Sequence, residues 1–279
     1  MMNENDSAKA AGFDADMIRR AQKGERDAVR QLFGEHLATV QRFALRMCRD
    51  EDRARDVAQE SLLTALKSLD SYRGDASFST WLFTITRSHC GRARRRADRE
   101  VVPEDETSSI DRAMSEAPAP DDQAAHSEVS DVVERALASL DPDDREVVLL
   151  RDVEGMSTKD AAQVLGLSVA ALKSRLHRAR TTLRSLVRQM VDAEPEVTPD
   201  GCPDILLEFS RKLEGDLSSD HCAQLEEHLA SCPSCAARCR SIQDLLGACA
   251  SLRASVPAAD VGVIIDGTLA AMRSMQGVG

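Results

Sequence analysis

An acidic, proline-containing segment in the middle of the chain limits what this sequence can fold into. Between Glu104 and Asp131 the only basic residue is Arg112, and prolines interrupt the acidic and small residues of 101–127. Such a composition cannot bury enough apolar surface to form a core, so we expect a flexible linker there. The 279-residue chain must therefore fold as separate compact units, each with a small core of its own.

Apolar residues on both sides of this linker repeat with the spacing of helices. Leu32, Phe33, Leu37 and Val40, for example, keep the interval of one buried helix face. Aromatic residues are 3% of the chain and charged residues 30%, a mixture typical of compact helical units. The sequence predicts an all-α fold with two helical domains, a linker and a small helical module. The predicted boundaries are 14–100 and 128–191 for the domains, 101–127 and 192–201 for linkers, 202–256 for the module and 257–279 for a tail.

The net charge of −11 argues by itself against a nucleic-acid partner, but the charge is segregated. No Asp or Glu occurs from Ala161 to Val191, where lysine and arginine are frequent. A second basic block runs from Arg92 to Arg99. Because local blocks decide where a polyanion binds, both segments are candidate nucleic-acid surfaces.

The acid-free segment, together with the three residues before it, has the layout of a helix-turn-helix. Thr158–Leu165 and Val169–Arg184 are joined by Gly166, and Ser168 is the expected N-cap of the second helix. The alternative is a helical bundle whose basic face is merely solvated, and the absence of acids favours DNA. We expect the second helix to expose side chains that reach phosphates and guanine edges: Lys173, Ser174, Arg175, His177 and Arg178.

Six of the eight cysteines lie in the C-terminal module. Residues 1–13 show no signal-peptide pattern, so we expect a cytoplasmic protein with no membrane partner, in which clustered thiols indicate metal before disulfide. Cys232 and Cys235 form a Cys-x2-Cys knuckle, His228 lies one helical turn earlier, and Cys202 comes from a preceding segment. These four ligands predict a closed tetrahedral Zn²⁺ site.

No catalytic constellation is present in the sequence. It contains no glycine-rich phosphate loop, no nucleophile elbow and no HExxH motif. We therefore expect a binding protein, not an enzyme.

Three segments resemble known families. "LDPDDREVVLLRDVEGMSTKDAAQVLGLSVAALKSRLHRARTTLR", Leu140–Arg184, resembles region 4 of extracytoplasmic-function (ECF) sigma factors. "DRARDVAQESLLTALKSLDSYRGDASFSTWLFTITRSHCGRARRR", Asp52–Arg96, is similar to their region 2. The module, with "CPDILLEFSRKLEGDLSS" and "LEEHLASCPSC", resembles the zinc-binding anti-sigma domain. The combination is similar to the CorE-like group, whose members respond directly to metal ions and need no separate anti-sigma factor.

The resemblance implies partners and residue roles. Core RNA polymerase would be bound through its β′ coiled coil and β flap, with Asp56, Gln59 and Glu60 contacting the coiled coil. The loop from Tyr72 to Ser79, including Arg73 and Ser77, would hold a base of the −10 element, and region 4 would read the −35 element from Ser168 onward. The residues that would follow the backbone of melted DNA are Arg87, Arg92, Arg94, Arg95 and Arg96.

Cys222, Cys239 and Cys249 exceed the ligands that one zinc ion needs. They are either buried small hydrophobic residues or, as the CorE-like resemblance implies, thiolates that bind a second, regulatory metal such as copper or cadmium, with His221 as a further ligand. A reversible thiol switch is the remaining alternative for them. For the whole chain, two other functions stay open: a metal- or redox-responsive helix-turn-helix regulator that acts without polymerase, and a protein that sequesters another sigma factor.

Overall fold

The computed structural model describes residues 15–100, 128–194, 196 and 199–254, and all regular structure in these ranges is helical. The predicted all-α fold class is therefore confirmed. The chain divides into two compact units, one containing 15–100 and the other 128–254. The predicted linker at 101–127 and the predicted tail at 257–279 lie outside the described residues.

The first unit packs its helices around one apolar core. Leucines and phenylalanines fill this core, and Phe33, Leu37, Leu62 and Leu82 are almost fully buried. The helices are α1 (15–22), α2 (Arg26–Cys48), α3 (Glu51–Ser68) and α4 (Phe78–Glu100).

The loop between α3 and α4 is held by its own side chains. The Ser77 hydroxyl accepts a hydrogen bond from the Thr80 N–H at 3.1 Å and thereby caps the start of α4. The Tyr72 hydroxyl donates to the Ala76 carbonyl at 2.6 Å, and its ring packs against those of Phe78 and Trp81. Phe78 and Trp81 thus support the core, which is the role that isolated aromatic residues at helical spacing usually have.

The second unit begins with the helix-turn-helix domain. Its helices are α5 (Glu128–Ser139), α6 (Pro142–Val148), α7 (Thr158–Leu165) and α8 (Val169–Met190), with a π-helical turn at Leu149–Val153. The predicted cap at Ser168 is present and Ser157 caps α7 in the same way: Ser157 accepts from the Asp160 N–H and Ser168 from the Ala171 N–H, each at 3.1 Å. Gly166 ends α7 with a φ of +65°, which suits glycine.

The cysteine module completes the second unit with α9 (Ile205–Leu213), α10 (Ser219–Ser231) and α11 (Pro233–Ser251). Its small core contains Ile205, Leu225, Cys235 and Cys239. Helix α11 packs against α5 and the π-helical turn, and α9 packs against α8. The module therefore rests directly on the helix-turn-helix domain.

Within the ranges that the structure covers, no helix combines the length and the apolar character needed to cross a bilayer.

Candidate metal centre and nucleic-acid interface

Four side chains of the module converge where α10 meets α11. His228 lies in the last turn of α10, Cys232 joins the two helices, Cys235 lies in the first turn of α11, and Cys202 precedes α9. Their ligand atoms all lie within 4.8 Å of one another. The Cys232 N–H donates to the His228 carbonyl at 2.9 Å, which fixes these two ligands one helical turn apart. The structure thus brings the predicted ligand set together.

The chemistry and spacing of this cluster fit a tetrahedral Zn²⁺ ion. With Zn–S bonds of about 2.3 Å, two sulfur ligands lie about 3.8 Å apart, and the Cys202 and Cys232 sulfurs are 3.9 Å apart. His228 Nε2 is buried and finds no hydrogen-bond partner among the described residues, as expected for an atom that binds a metal. Burial and the neighbouring thiols raise the pKa of Cys235 to about 12, so a bound cation is needed to keep this group a thiolate.

The remaining cysteines of the module do not form a second cluster. Cys239 and Cys249 are buried on the inner face of α11, and Cys222 is half-buried in α10. His221 pairs with Glu208, Nε2 to Oε2, at 3.1 Å. Among the residues that the structure describes, no second group of three or more such ligands comes together. A second copper or cadmium site on these residues is therefore not supported.

Helix α8 presents two faces of different character. Ser168, Ser174 and Arg178 are exposed, and Arg175 is half-exposed with an ion pair to Asp143 at 3.3 Å. This outer face retains the cationic and hydroxyl groups that were predicted to meet DNA.

The inner face of α8 lies against the cysteine module. Lys173 pairs with Asp216, and His177 is half-buried beside Cys202 and Asp204. Lys173 and His177 were expected to be exposed, but in this structure the module covers them in part. The sequence does place these residues on one helix face, because Lys173, His177 and Arg180 are spaced at i, i+4 and i+7. It does not indicate their acidic partners, which come from a distant segment.

Arg180 and Glu214 form the centre of this interface, and sequence reasoning missed both. Their side chains are 3% and 2% exposed. Arg180 donates from Nε to Asp152 at 2.9 Å and from Nη1 to the Ser210 hydroxyl at 3.0 Å. Glu214 accepts from Arg151 at 2.8 Å and from the Thr158 hydroxyl. The module and the helix-turn-helix domain therefore share a buried, compensated charge cluster.

A second charge cluster involves the predicted linker at 192–201. Glu196 contacts Arg184 and Arg188 of α8 and lies 3.3 Å from Arg238 of α11. Burial would raise the pKa of Glu196, but these arginines outweigh it and lower the pKa. Much of the basic charge of the acid-free segment is thus neutralised by acids from outside it.

In the first unit, the predicted polymerase-binding residues line the outer face of α3. Asp56 and Gln59 are exposed. Glu60 is half-exposed, and its Oε2 lies 2.9 Å from Nδ1 of His89, whose ring is buried. Glu60 therefore also has a structural contact, which the sequence pattern did not indicate.

The predicted −10 and single-strand residues of the first unit lie in the α3–α4 loop and along α4. Arg73 is exposed and Ser77, although exposed, serves as the cap of α4. Arg87 is half-buried. Four arginines that were predicted to follow melted DNA are exposed on the continuous helix α4, as is Arg99 of the same basic block: Arg92, Arg94, Arg95 and Arg96.

Comparison with protein families matches three segments of the chain. Residues 32–100 match "Sigma-70 region 2", residues 130–183 match "Sigma-70, region 4", and residues 202–236 match "Putative zinc-finger". The third segment contains all four ligands of the metal cluster.

Curated relatives cover the two sigma regions. The RNA polymerase sigma-H factor of Pseudomonas aeruginosa is 30% identical over 184 residues, which are 64% of this chain and 95% of the relative. The ECF RNA polymerase sigma factor EcfG of Rhodopseudomonas palustris is 34% identical over 174 residues, or 62% of this chain and 92% of the relative. A co-crystal structure of the Bartonella quintana sigma factor RpoE with the anti-sigma factor NepR aligns with a TM-score of 0.48 and 29% identity, covering 57% of this chain and 95% of that one. The chain belongs to the ECF RNA polymerase sigma factors, which are DNA-binding transcription initiation factors and not enzymes, and it carries in addition a C-terminal zinc-finger-like module.

Proposed function

We propose that this sigma factor directs core RNA polymerase to its promoters through residues 14–100 and 128–191, and that the zinc-loaded module at 202–256 regulates it in cis. One observation carries the second half of the proposal: Glu214 of the module is buried against Arg151 and Arg180 of region 4. A carboxylate that is 2% exposed among arginines belongs to a formed interface and not to a chance surface contact.

The sites follow from exposure and charge. The outer face of α3, around Asp56 and Gln59, is proposed to bind the β′ coiled coil, with region 4 near the β flap. The exposed arginines of α4 are proposed to bind melted DNA, because cations on one helix neutralise backbone phosphates without regard to sequence. The outer face of α8 is proposed to read the −35 element.

The zinc ion would be held by Cys202, His228, Cys232 and Cys235. Zinc in a closed site of four protein ligands stabilises the fold and leaves no open position for chemistry. Because the module has only a small apolar core, the ion would supply much of its folding free energy. Since the module is already part of the chain and docked on region 4, we propose that no separate anti-sigma factor is required and that the protein works in the cytoplasm with core polymerase.

The test combines binding and transcription. The zinc-loaded chain is mixed with core RNA polymerase, and the complex is isolated by gel filtration and assayed by run-off transcription on promoters obtained by in vitro selection. We expect a stoichiometric complex and discrete start sites. A chain that binds DNA but neither binds core enzyme nor supports transcription would instead be a helix-turn-helix regulator without a sigma role.

A further inference from the structure

The acidic turn of the module, Glu214 to Asp216, lies against donors from four residues of the helix-turn-helix domain, one of which, Arg180, lies 3.5 Å from the Glu214 carboxylate. Thr158, the first residue of α7, donates its hydroxyl to the Glu214 carboxylate, and Arg151 donates to the same carboxylate at 2.8 Å. Lys173 of α8 donates to the Glu214 carbonyl at 3.2 Å and pairs with the Asp216 carboxylate. The turn therefore presents two carboxylates to a cluster of three cations and a hydroxyl.

Thr158 and Lys173 are donors of the kind, and in the part of the motif, that bind DNA phosphates. In a helix-turn-helix the first helix crosses the DNA backbone and the N-terminal part of the second enters the major groove. Thr158 begins the first helix and Lys173 lies in the N-terminal part of the second. Lysine, arginine and threonine side chains supply many of the known phosphate contacts, and carboxylate and phosphate oxygens accept the same charge-assisted hydrogen bonds.

We infer that the Glu214–Asp216 turn occupies a DNA-phosphate site of region 4, so that the docked module and promoter DNA compete for the same side chains. The inference rests on the proposed function, in which region 4 binds the promoter. It gives the regulation a direction, because a docked module weakens DNA binding and DNA displaces the turn.

The local conformation gives the turn a defined shape. Gly215 has a φ of +70°, a conformation that favours glycine, and it reverses the chain at the end of α9. The Asp216 N–H donates to the Arg211 carbonyl at 2.9 Å, which completes this helix end. Arg180 has Asp152 of its own domain as a partner, so the cations that would change from carboxylate to phosphate are Arg151 and Lys173.

The experiment measures how tightly the full-length, zinc-loaded chain binds a random-sequence DNA duplex, by fluorescence anisotropy at several salt concentrations. The test variant is Glu214→Gln with Asp216→Asn, which keeps the shape of the turn and removes both charges. The matched control is Asp220→Asn with Glu226→Gln, an equal change of net charge at exposed positions of the same module. A third protein adds Lys173→Ala to the test variant, and zinc content is measured for all of them.

We expect the test variant to bind the duplex about tenfold more tightly than wild type at low salt, with a salt slope steeper by about 0.9 for each phosphate gained. Lys173→Ala should remove part of that gain, and zinc content should not change. Equal gains in test and control variants, or no gain in either, would overturn the inference. If the double variant loses zinc, Asp216→Asn alone is compared with Asp220→Asn, and about a threefold difference is expected. Binding of the same proteins to core RNA polymerase separates this inference from the proposed function. If the wild-type chain does not bind core enzyme, the proposed function is refuted. If it binds core enzyme but the test variant has the DNA affinity of wild type, only the competition between the turn and DNA is refuted.

Discussion

Glu214 Oε1 lies 2.8 Å from Arg151 Nη2, and this ion pair joins the cysteine module to region 4 within one compact unit. The Glu214 side chain is almost fully buried, while that of its neighbour Asp216 is 39% exposed. Two acids separated by one residue thus have different energetic roles at the same interface.

Glu214→Ala should destabilise the second unit far more than Asp216→Ala. Removing one partner of a buried ion pair leaves an uncompensated charge and costs about 3–5 kcal/mol, whereas an exposed pair contributes less than about 1 kcal/mol. Denaturant unfolding of the zinc-loaded chain, followed by circular dichroism, measures both. Equal losses for the two variants would show that Glu214 is not the centre of the interface.

The contribution of Glu214 should depend on pH. Burial would raise its pKa, but the hydrogen bonds from Thr158 and Arg151 and the charge of Arg180 outweigh burial and lower the pKa. A carboxyl with a lowered folded-state pKa stabilises the protein fully above its ordinary pKa and loses this effect as pH falls through the lowered one. The difference in unfolding free energy between wild type and Glu214→Gln should therefore be largest near neutral pH and shrink in acid. A difference that stays constant down to acid pH would contradict the role of the ionised carboxylate.

Local signals in the sequence predicted several helix ends and the convergence of Cys202, His228, Cys232 and Cys235. The caps at Ser157 and Ser168 and the glycine stop at Gly166 depend on neighbouring residues, so their pattern is readable without the fold. The Cys-x2-Cys knuckle likewise fixes two ligands within one turn, and a third lies one helical turn before them.

The interface between the module and region 4 could not be predicted in the same way. Arg180 belongs to the acid-free basic segment, but its partners Asp152 and Glu214 come from other elements, and only tertiary packing brings them together. The burial of Cys239 and Cys249 did have a signal. Together with Cys235, Ile242 and Leu245 they keep the three-to-four-residue spacing of an inward helix face, which favours packing over metal sensing.

Replacing a zinc ligand should unfold the module, whereas replacing Cys222 should not. Cys232→Ser removes one of four ligands from a module with little apolar core, so we expect loss of bound zinc on dialysis and loss of helical signal. Cys222 lies outside the ligand cluster, so the Cys222→Ser variant should retain one zinc ion per chain. The measurements are zinc content by atomic absorption and helicity by circular dichroism. Retention of zinc by Cys232→Ser, or its loss from Cys222→Ser, would mean that the ligand set is different.

Charge reversal on α3 should impair polymerase binding. Asp56→Lys replaces an exposed carboxylate by a cation on the outer face of α3, the proposed binding surface for the β′ coiled coil. We expect core-enzyme binding to weaken about tenfold or more, because a reversed charge at an interface places like charges next to each other. Asp56 is preferred to Glu60 for this test, since Glu60 also contacts the buried His89. Asp70→Lys, an equal reversal at an exposed position outside α3, is the control and should bind normally in a pull-down with core enzyme. Similar losses in both variants would point to a general charge effect.

The exposed cations of α8 should carry recognition of the −35 element, and Arg188, which is paired with Glu196, should contribute less. Arg175→Ala and Arg178→Ala each remove a cation from the outer face of α8. If the arginine contacts a base, its loss should cost about 1–3 kcal/mol of binding free energy at the −35 element. If it contacts a phosphate, its loss should lower the salt slope by about 1. Arg188→Ala serves as the control with the same change of net charge, because Arg188 is already paired with Glu196 at 2.9 Å. Binding of each variant to a promoter duplex obtained by in vitro selection is measured over a range of salt concentrations. If Arg188→Ala weakened binding as much as Arg178→Ala, the assignment of −35 recognition to the exposed cations Arg175 and Arg178 would be wrong.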